Sequence, residues 1–340
     1  MNRRHALLVL VGALAGCSEN SPEPTSTPTG TPTATATATP SGTETEAPEP
    51  TAAGTETATE TPTEGGVEAA VAALNDVYGE LRPALESLEA TGLDYDLLAD
   101  RLRATESALA GITPANAAEE ERVRSLSDTR WIFDRLVRTF GRLTEAYGIH
   151  AQLLAAYRGS EYTDETATLS AQFRTLAREA ASSSGTAVTR YDAMSAFDPA
   201  LDAQYDAFEP QIFRVSDTAN ALGPFGEGVD TATRSRQRYN QAVSLYDDGS
   251  YRDAQNAFID LLSAFTDARE EFDEADDLSG PLDAHLGAYR CETRAARLAC
   301  VEYRAACREQ LDGDAAAAER RRAQADEQYT QCSTGGESSG

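Results

Sequence analysis

Apolar residues recur along most of this chain at spacings of three and four. The clearest run lies between 115 and 158, where Leu126, Phe133, Phe140, Leu143, Tyr147, His150, Leu154 and Tyr157 follow one another at sevens with intermediate threes and fours. Such a stripe is one face of a helix and requires a partner helix to cover it. Alanine is abundant and β-branched runs are scarce, so helices, not strands, are expected throughout the body of the chain. The pattern predicts an all-α protein with helices at about 67–89, 93–110, 115–158, 163–182, 187–222, 226–247, 251–277, 282–311 and 314–329. The fifth is interrupted near Asp198-Pro199, and breakers at Gly92, Gly111 to Pro114, Gly159-Ser160, Ser182 to Gly185, Gly223-Pro224, Asp247 to Gly249, Ser279 to Pro281 and Asp312-Gly313 separate the elements. Arg122, Arg124, Arg135, Arg138 and Arg142 fall mostly off the stripe of the long helix and are expected in solvent. An up-and-down helical bundle over 67–222 is the simplest way to cover that stripe.

Residues 239 to 265 read YNQAVSLYDDGSYRDAQNAFIDLLSAF. Ala242, Leu245 and Tyr246 share one helix face, Gly249 ends that helix, and Tyr251, Ala254 and Phe258 open the next on its inward side. Small residues at 242 and 254 permit two antiparallel helices to approach closely, and the aromatics fill the space beside them. In order and spacing these positions resemble a tetratricopeptide repeat. A weaker echo runs from Tyr303 to Tyr329, with its turn at Asp312-Gly313-Asp314 and Ala315 where an aromatic would stand; Tyr157 to Tyr162 mimics the turn alone. The resemblance implies tetratricopeptide-like hairpins over 226–330, and with them a role in binding proteins or peptides without catalytic groups.

The first residues, MNRRHALLVLVGALAGCSEN, combine Arg3 and Arg4, an apolar stretch at 6–15 and a small residue before Cys17. This arrangement predicts a signal peptide over 1–16, too short to span a bilayer of about 30 Å as a helix. Leu14-Ala15-Gly16-Cys17 resembles the lipobox of bacterial and archaeal lipoproteins, which implies lipidation of Cys17. The paired arginines resemble a twin-arginine export signal, although His5 and Ala6 depart from its usual continuation. From 18 to 66 the chain is Thr- and Pro-rich with no aromatic residue, so 17–66 is expected to be a lipidated, disordered stalk, and 331–340 a flexible tail.

Charge sharpens this picture. Acidic residues number 56 against 29 basic ones, a net charge of -27, and every basic residue is Arg. Such a chain repels itself in dilute solution, whereas at molar salt the Debye length falls to about 3 Å and the repulsion largely vanishes. With its export signal, the composition resembles that of a cell-surface lipoprotein of an extremely halophilic archaeon. Nucleic acid is an unsuitable partner, because phosphate binding requires a basic stripe.

Candidate chemistry is sparse. Beyond Cys17 there remain Cys291, Cys300, Cys307 and Cys332. On one helix Cys300 and Cys307 would lie about 10.5 Å apart, too far for a bridge, whereas a hairpin about Asp312-Gly313 brings Cys291 and Cys332 to its open end. A Cys291–Cys332 disulfide is therefore expected, with Cys300 and Cys307 packed as small apolar groups on the seam of Tyr289, Ala296 and Tyr303. His150 belongs to the apolar stripe, and His285 is expected to be exposed in the first turn of its helix. Asp273, Glu274, Asp276 and Asp277 read as a solvated charge run. No metal-ligand spacing, nucleophile elbow or phosphate loop occurs, so neither an enzyme nor a cofactor is expected.

One contrast bears on partners. Between Leu282 and Tyr329 eight Arg stand against nine Asp and Glu, nearly balanced in a strongly acidic protein, and Arg290, Arg294, Arg297, Arg304 and Arg308 follow one flank of their helix. Pairing along that helix with Glu292, Glu302 and Glu309 is the plainer account; a face for an acidic partner is the other. The sequence as a whole suggests a membrane-anchored, surface-exposed scaffold that binds a protein through its second half. The alternative is a solute-binding lipoprotein serving a transporter, with its pocket between bundle and repeat.

Overall fold

The structure, a computed structural model, describes residues 64–89 and 92–332. The export signal at Arg3 and Arg4, the lipidation site Cys17, most of the stalk and the end of the tail lie outside the described residues. The described part belongs to one compact unit and contains eight α-helices and no strand. They are α1 (Glu64–Ser87), α2 (Tyr95–Ala110), α3 (Ala117–Gly159), α4 (Asp164–Asp192), α5 (Tyr205–Asp247), α6 (Tyr251–Glu274), α7 (Asp283–Leu311) and α8 (Ala315–Thr330), with a 3-10 turn at Gly280–Leu282 before α7. Each helix packs on its neighbours in sequence, and α1, α3, α5 and α7 also meet one another in an inner row.

Two elements run through positions where the sequence pattern places breaks. Residues 182–185 lie inside α4, because Ala180, Ser184 and Ala187 are fully buried and continue one small-residue face. The local hydroxyls are satisfied within the helix: Ser184 donates to the Ala181 carbonyl, Thr186 to those of Ser182 and Ser183, and Thr189 to that of Gly185. Gly223 and Pro224 likewise lie inside α5, so the expected boundary between 222 and 226 falls within one helix. Flanking Leu222, Phe225 and Val229 are fully buried, and their packing outweighs the roughly 3 kcal/mol that a proline costs in a helix interior. At the amino end, α1 starts at Glu64, ahead of 67, and Gly66 lies against Ile112.

The glycines of this segment serve close approach, not chain breaking. A Cβ at Gly226 would stand 2.4 Å from the Phe173 ring, and one at Gly228 would stand 2.7 Å from the Phe272 ring. Both rings are buried. Two neighbours of α5, helices α4 and α6, are thus seated on bare backbone.

The expected interruption near Asp198 is present, and a polar clamp holds it. Asp198, buried, accepts from the Ala200 amide at 2.9 Å and from Arg122 Nε at 2.7 Å, and Arg122 reaches on to Glu68. Asn75 donates to the Ala200 carbonyl and accepts from the Asp202 amide. Tyr191 and Tyr205 stack at 4.3 Å and exchange hydroxyl-to-carbonyl hydrogen bonds across the loop.

Buried apolar side chains form two clusters. One runs from Val67 to Ala232 and takes in Ala268 to Tyr289. The other gathers Tyr239, Ala242, Tyr246, Ala254, Phe258, Leu261 and Phe265 with Cys300, Tyr303, Cys307 and Ala325. Three hairpin turns share one hydrogen-bond pattern, a residue with positive φ at Ser160 (56°), Gly249 (79°) or Gly313 (86°). The following amide bonds back to the carbonyl of Ala156, Leu245 or Glu309. This is the helix-ending motif that glycine favours. The last two hairpins superimpose in sequence at an offset of 64: Tyr239 with Tyr303, Ala242 with Ala306, Gly249 with Gly313, Ala254 with Ala318 and Leu261 with Ala325. All of these side chains except the turn glycines are buried.

Substituting alanine for Gly226 or Gly228 should destabilise the protein by about 1–3 kcal/mol, because overpacking against a buried ring exceeds the gain in helix propensity. Urea unfolding of each variant measures this; a stabilised Gly226→Ala would show that α4 can retreat from α5.

Candidate functional site

The second half presents a surface where apolar and basic groups face solvent together. In α7 the inward positions Ala296, Ala299, Cys300, Tyr303, Ala306 and Cys307 are buried. Their helical period leaves Arg294, Arg297, Leu298, Val301, Arg304 and Arg308 on the outer side. Leu298 is 36% and Val301 37% exposed. The pairing along the helix that the sequence suggests is not made: Glu292 and Glu302 stand two or five residues from the nearest of these arginines, off the spacing of three or four at which helix side chains meet, and both are engaged elsewhere. Glu292 binds Arg236 of α5 at 3.0 Å, and Glu302 binds Arg321 of α8 at 2.9 Å. Among the described residues, Arg294, Arg297 and Arg304 have no carboxylate within ion-pair distance, and Arg308 has only Asp312 at 3.8 Å.

Arg290 is placed differently from the other four. Its guanidinium donates to the Phe272 carbonyl at 3.1 and 2.6 Å and pairs with Asp276 and Asp273. It therefore closes the carboxyl end of α6, where free carbonyls and the helix dipole favour a cation. The acidic run at 273–277 is consumed in part by this contact and by Arg269. Among the described residues no three His, Cys, Asp or Glu side chains are gathered to hold a metal ion.

The repeat positions pack as a unit. Ala242, Tyr246, Ala254 and Phe258 are buried, while Leu245 and Tyr251 are partly buried against them. Tyr246 meets Tyr251 edge to face at 5.3 Å, and Phe258 stacks on Tyr303 at 4.9 Å. Cys300 and Cys307 are buried free thiols. Burial raises both, Cys307 to about 11, which leaves them protonated and unreactive. Cys291 and Cys332 are joined in a disulfide with Cα atoms 5.8 Å apart. That bond matters because α8 fully buries only Ala318 and Ala325, and beyond them is held by Tyr329 stacked on Tyr239 at 4.4 Å and by polar contacts such as Tyr303 with Asp326 at 2.7 Å.

The junction of bundle and repeat, where a solute pocket would lie, is filled. Tyr157, Arg236, Phe265, Glu292, Ala296 and Tyr329 surround only about 10 Å³, room for no more than about one water. His285 is not fully exposed as the sequence suggests. It is half-buried with its ring 5.0 Å from that of His150, because the turn at Gly280–Leu282 sets the start of α7 against α3. His150 is buried, its Nε2 3.5 Å from the Tyr289 hydroxyl. Burial, and then the neighbouring His285, lower His150 to about 4.

The sequence reading left two features unnoticed. Leu298 and Val301 look like core positions until the facing helices are placed. A groove of about 1100 Å³ runs between α2, α3 and α4, and Arg135, expected in solvent, has its Nε buried there without an acceptor. Only Trp131, the single tryptophan of the chain, marked that stretch. Compared with protein-family models, curated proteins and solved structures, the chain matches none.

Replacing Cys291 and Cys332 with serine should cost about 2–4 kcal/mol and free α8, since the bridge closes a long loop. Trypsin cleavage at Arg320 to Arg322, compared with the parent under non-reducing conditions, reads this directly; unchanged cleavage would show that packing alone holds α8. His150 gives a pH signature. Its pKa in the folded chain is below the ordinary 6.5, so the unfolded chain binds the extra proton. The contribution is full above pH 6.5 and is lost as pH falls toward 4, by roughly 3 kcal/mol in all. His150→Leu should lose less stability than the parent over that interval, and parallel curves would remove His150 as a cause.

Proposed function

We propose that the protein is a lipid-anchored, surface-exposed helical scaffold that binds an acidic protein partner through the outer face of α7. The observation that carries this reading is the set of unpaired Arg294, Arg297 and Arg304 around exposed Leu298 and Val301, on a chain of net charge -27. Unpaired guanidinium groups beside apolar side chains favour a surface with carboxylates and apolar residues of its own.

The salt-rich setting suggested by the composition fits such a face. At molar salt long-range attraction is screened to about 3 Å, so only direct guanidinium–carboxylate contacts persist, and excluded salts strengthen apolar burial. The paired packing of α5 and α6 supports the likeness to a tetratricopeptide hairpin, and with it the interaction role. The likeness resides in the turn and its packing, because α5 and α6 have 43 and 24 residues, longer than a repeat of about 34 residues can hold in two helices. No helix among the described residues is long and apolar enough to cross a membrane, and in this reading the lipid on Cys17 provides attachment.

The test is capture from the organism's own membrane extract at molar salt, comparing the parent with Arg294→Glu/Arg304→Glu and with Leu298→Ser/Val301→Ser. A saturable protein lost in both variants, each of which keeps its helicity, supports the scaffold. Equal capture by all three chains would move the partner to another face, and gel filtration would show whether the bound protein is a second copy.

A further inference from the structure

The groove between α2, α3 and α4 is separate from the α7 face and carries its own chemistry. Six arginines line it: Arg103, Arg130, Arg135, Arg138, Arg142 and Arg178. Four are neutralised, Arg103 by Asp100, Arg130 by Glu106, Arg138 by Asp134 and Arg142 by Glu145 and Glu179. Among the described residues, Arg135 and Arg178 have no carboxylate within ion-pair distance. Arg178 reaches only the Thr175 hydroxyl and the Arg174 carbonyl, while the Arg135 guanidinium lies 4.8 Å over the Trp131 ring with its Nε buried and unbonded. A permanently charged group without an acceptor is a rare feature of a folded protein, and an anion in the groove can pair with the terminal nitrogens of Arg135, its Nε being closed to solvent.

The rest of the lining defines the kind of anion. Asp96, Glu106, Asp134, Glu145 and Glu179 border the same space. They would repel an acidic peptide, whose side chains bring negative charge and no donors. A sugar ring bearing a carboxylate brings one anionic group together with several hydroxyls that donate to these acceptors. Ser182 and Ser183 add hydroxyls, and Trp131 and Tyr95 add aromatic wall. We propose that this groove binds an acidic saccharide, with separate carboxylates held by Arg135 and by Arg178 and its hydroxyls by the facing carboxylates. The volume of about 1100 Å³ lies at the upper end of small-molecule sites.

Because Trp131 is the only tryptophan, its emission reports the groove without a label. The purified full chain is titrated with trigalacturonate, with neutral maltotriose and with triglutamate, and binding is confirmed by calorimetry. The expected result is a saturable change with trigalacturonate alone, weakened about tenfold or more by Arg178→Gln. That side chain is exposed on α4, so its replacement leaves the fold intact. Arg135→Gln should weaken binding likewise, and Arg294→Glu/Arg304→Glu should leave it unchanged, which separates this site from the α7 face. The proposal is overturned by silence in both measurements with trigalacturonate. It is overturned equally if triglutamate or maltotriose binds as tightly, or if Arg178→Gln binds like the parent.

Discussion

The two apolar clusters are joined through one charged side chain, Arg236. It leaves α5 between them, its guanidinium 4.7 Å over the Tyr157 ring, and it donates to the Ser160 hydroxyl at the end of α3 and to Glu292 of α7 at 3.0 Å. Tyr329 of α8 closes the other side at 5.9 Å. Four helices therefore meet at a cation that is mostly withdrawn from solvent. Burying a charge is costly unless it is paired and hydrogen-bonded, so this layer tolerates little sliding of α5 against α3 or α7. The inner row of long helices can pass from one cluster to the other in a fixed register because this layer defines it.

The same pairing decides which arginines are available elsewhere. In a chain with 56 acidic residues and 29 arginines, most guanidinium groups among the described residues have a carboxylate partner. Glu292 is taken by Arg236 and Glu302 by Arg321, so neither is spare for the unpaired arginines of α7. Arg290, one residue among the same flank in sequence, is drawn off to the end of α6. The spacing along α7 contributes as well: no Asp or Glu stands three or four residues from Arg294, Arg297 or Arg304, so the helix by itself does not neutralise them.

The all-helical class, most helix limits and the core of the α5–α6 hairpin were legible in the sequence, because period and turn chemistry are local. Ala242, Tyr246, Ala254 and Phe258 could be placed from spacing alone. The breaks read at 182–185 and at Gly223-Pro224 were not real, since the same letters that end an isolated helix also let helices approach closely; Gly226 and Gly228 are seated under Phe173 and Phe272, which lie far away in the chain. Propensity yields to packing at such points. The groove was invisible for a related reason: Arg135 and Trp131 are four residues apart, but α2 and α4 supply its walls.

The offset of 64 residues between the last two hairpins also shows where they differ. Where α6 buries Phe258, Leu261 and Phe265, α8 has Arg322, Ala325 and Tyr329, and Arg322 turns out to Asp247 at 3.0 Å. A hairpin of this kind offers a packing face to the helix before it and a charged one to whatever would follow. Repeat arrays need such an end to avoid stacking onto their neighbours. Helix α8 thus departs from α6 at two of the three matching positions, with Arg322 for Phe258 and Ala325 for Leu261, while Tyr329 keeps the aromatic of Phe265, and its outer side is left charged where α6 has a packing face.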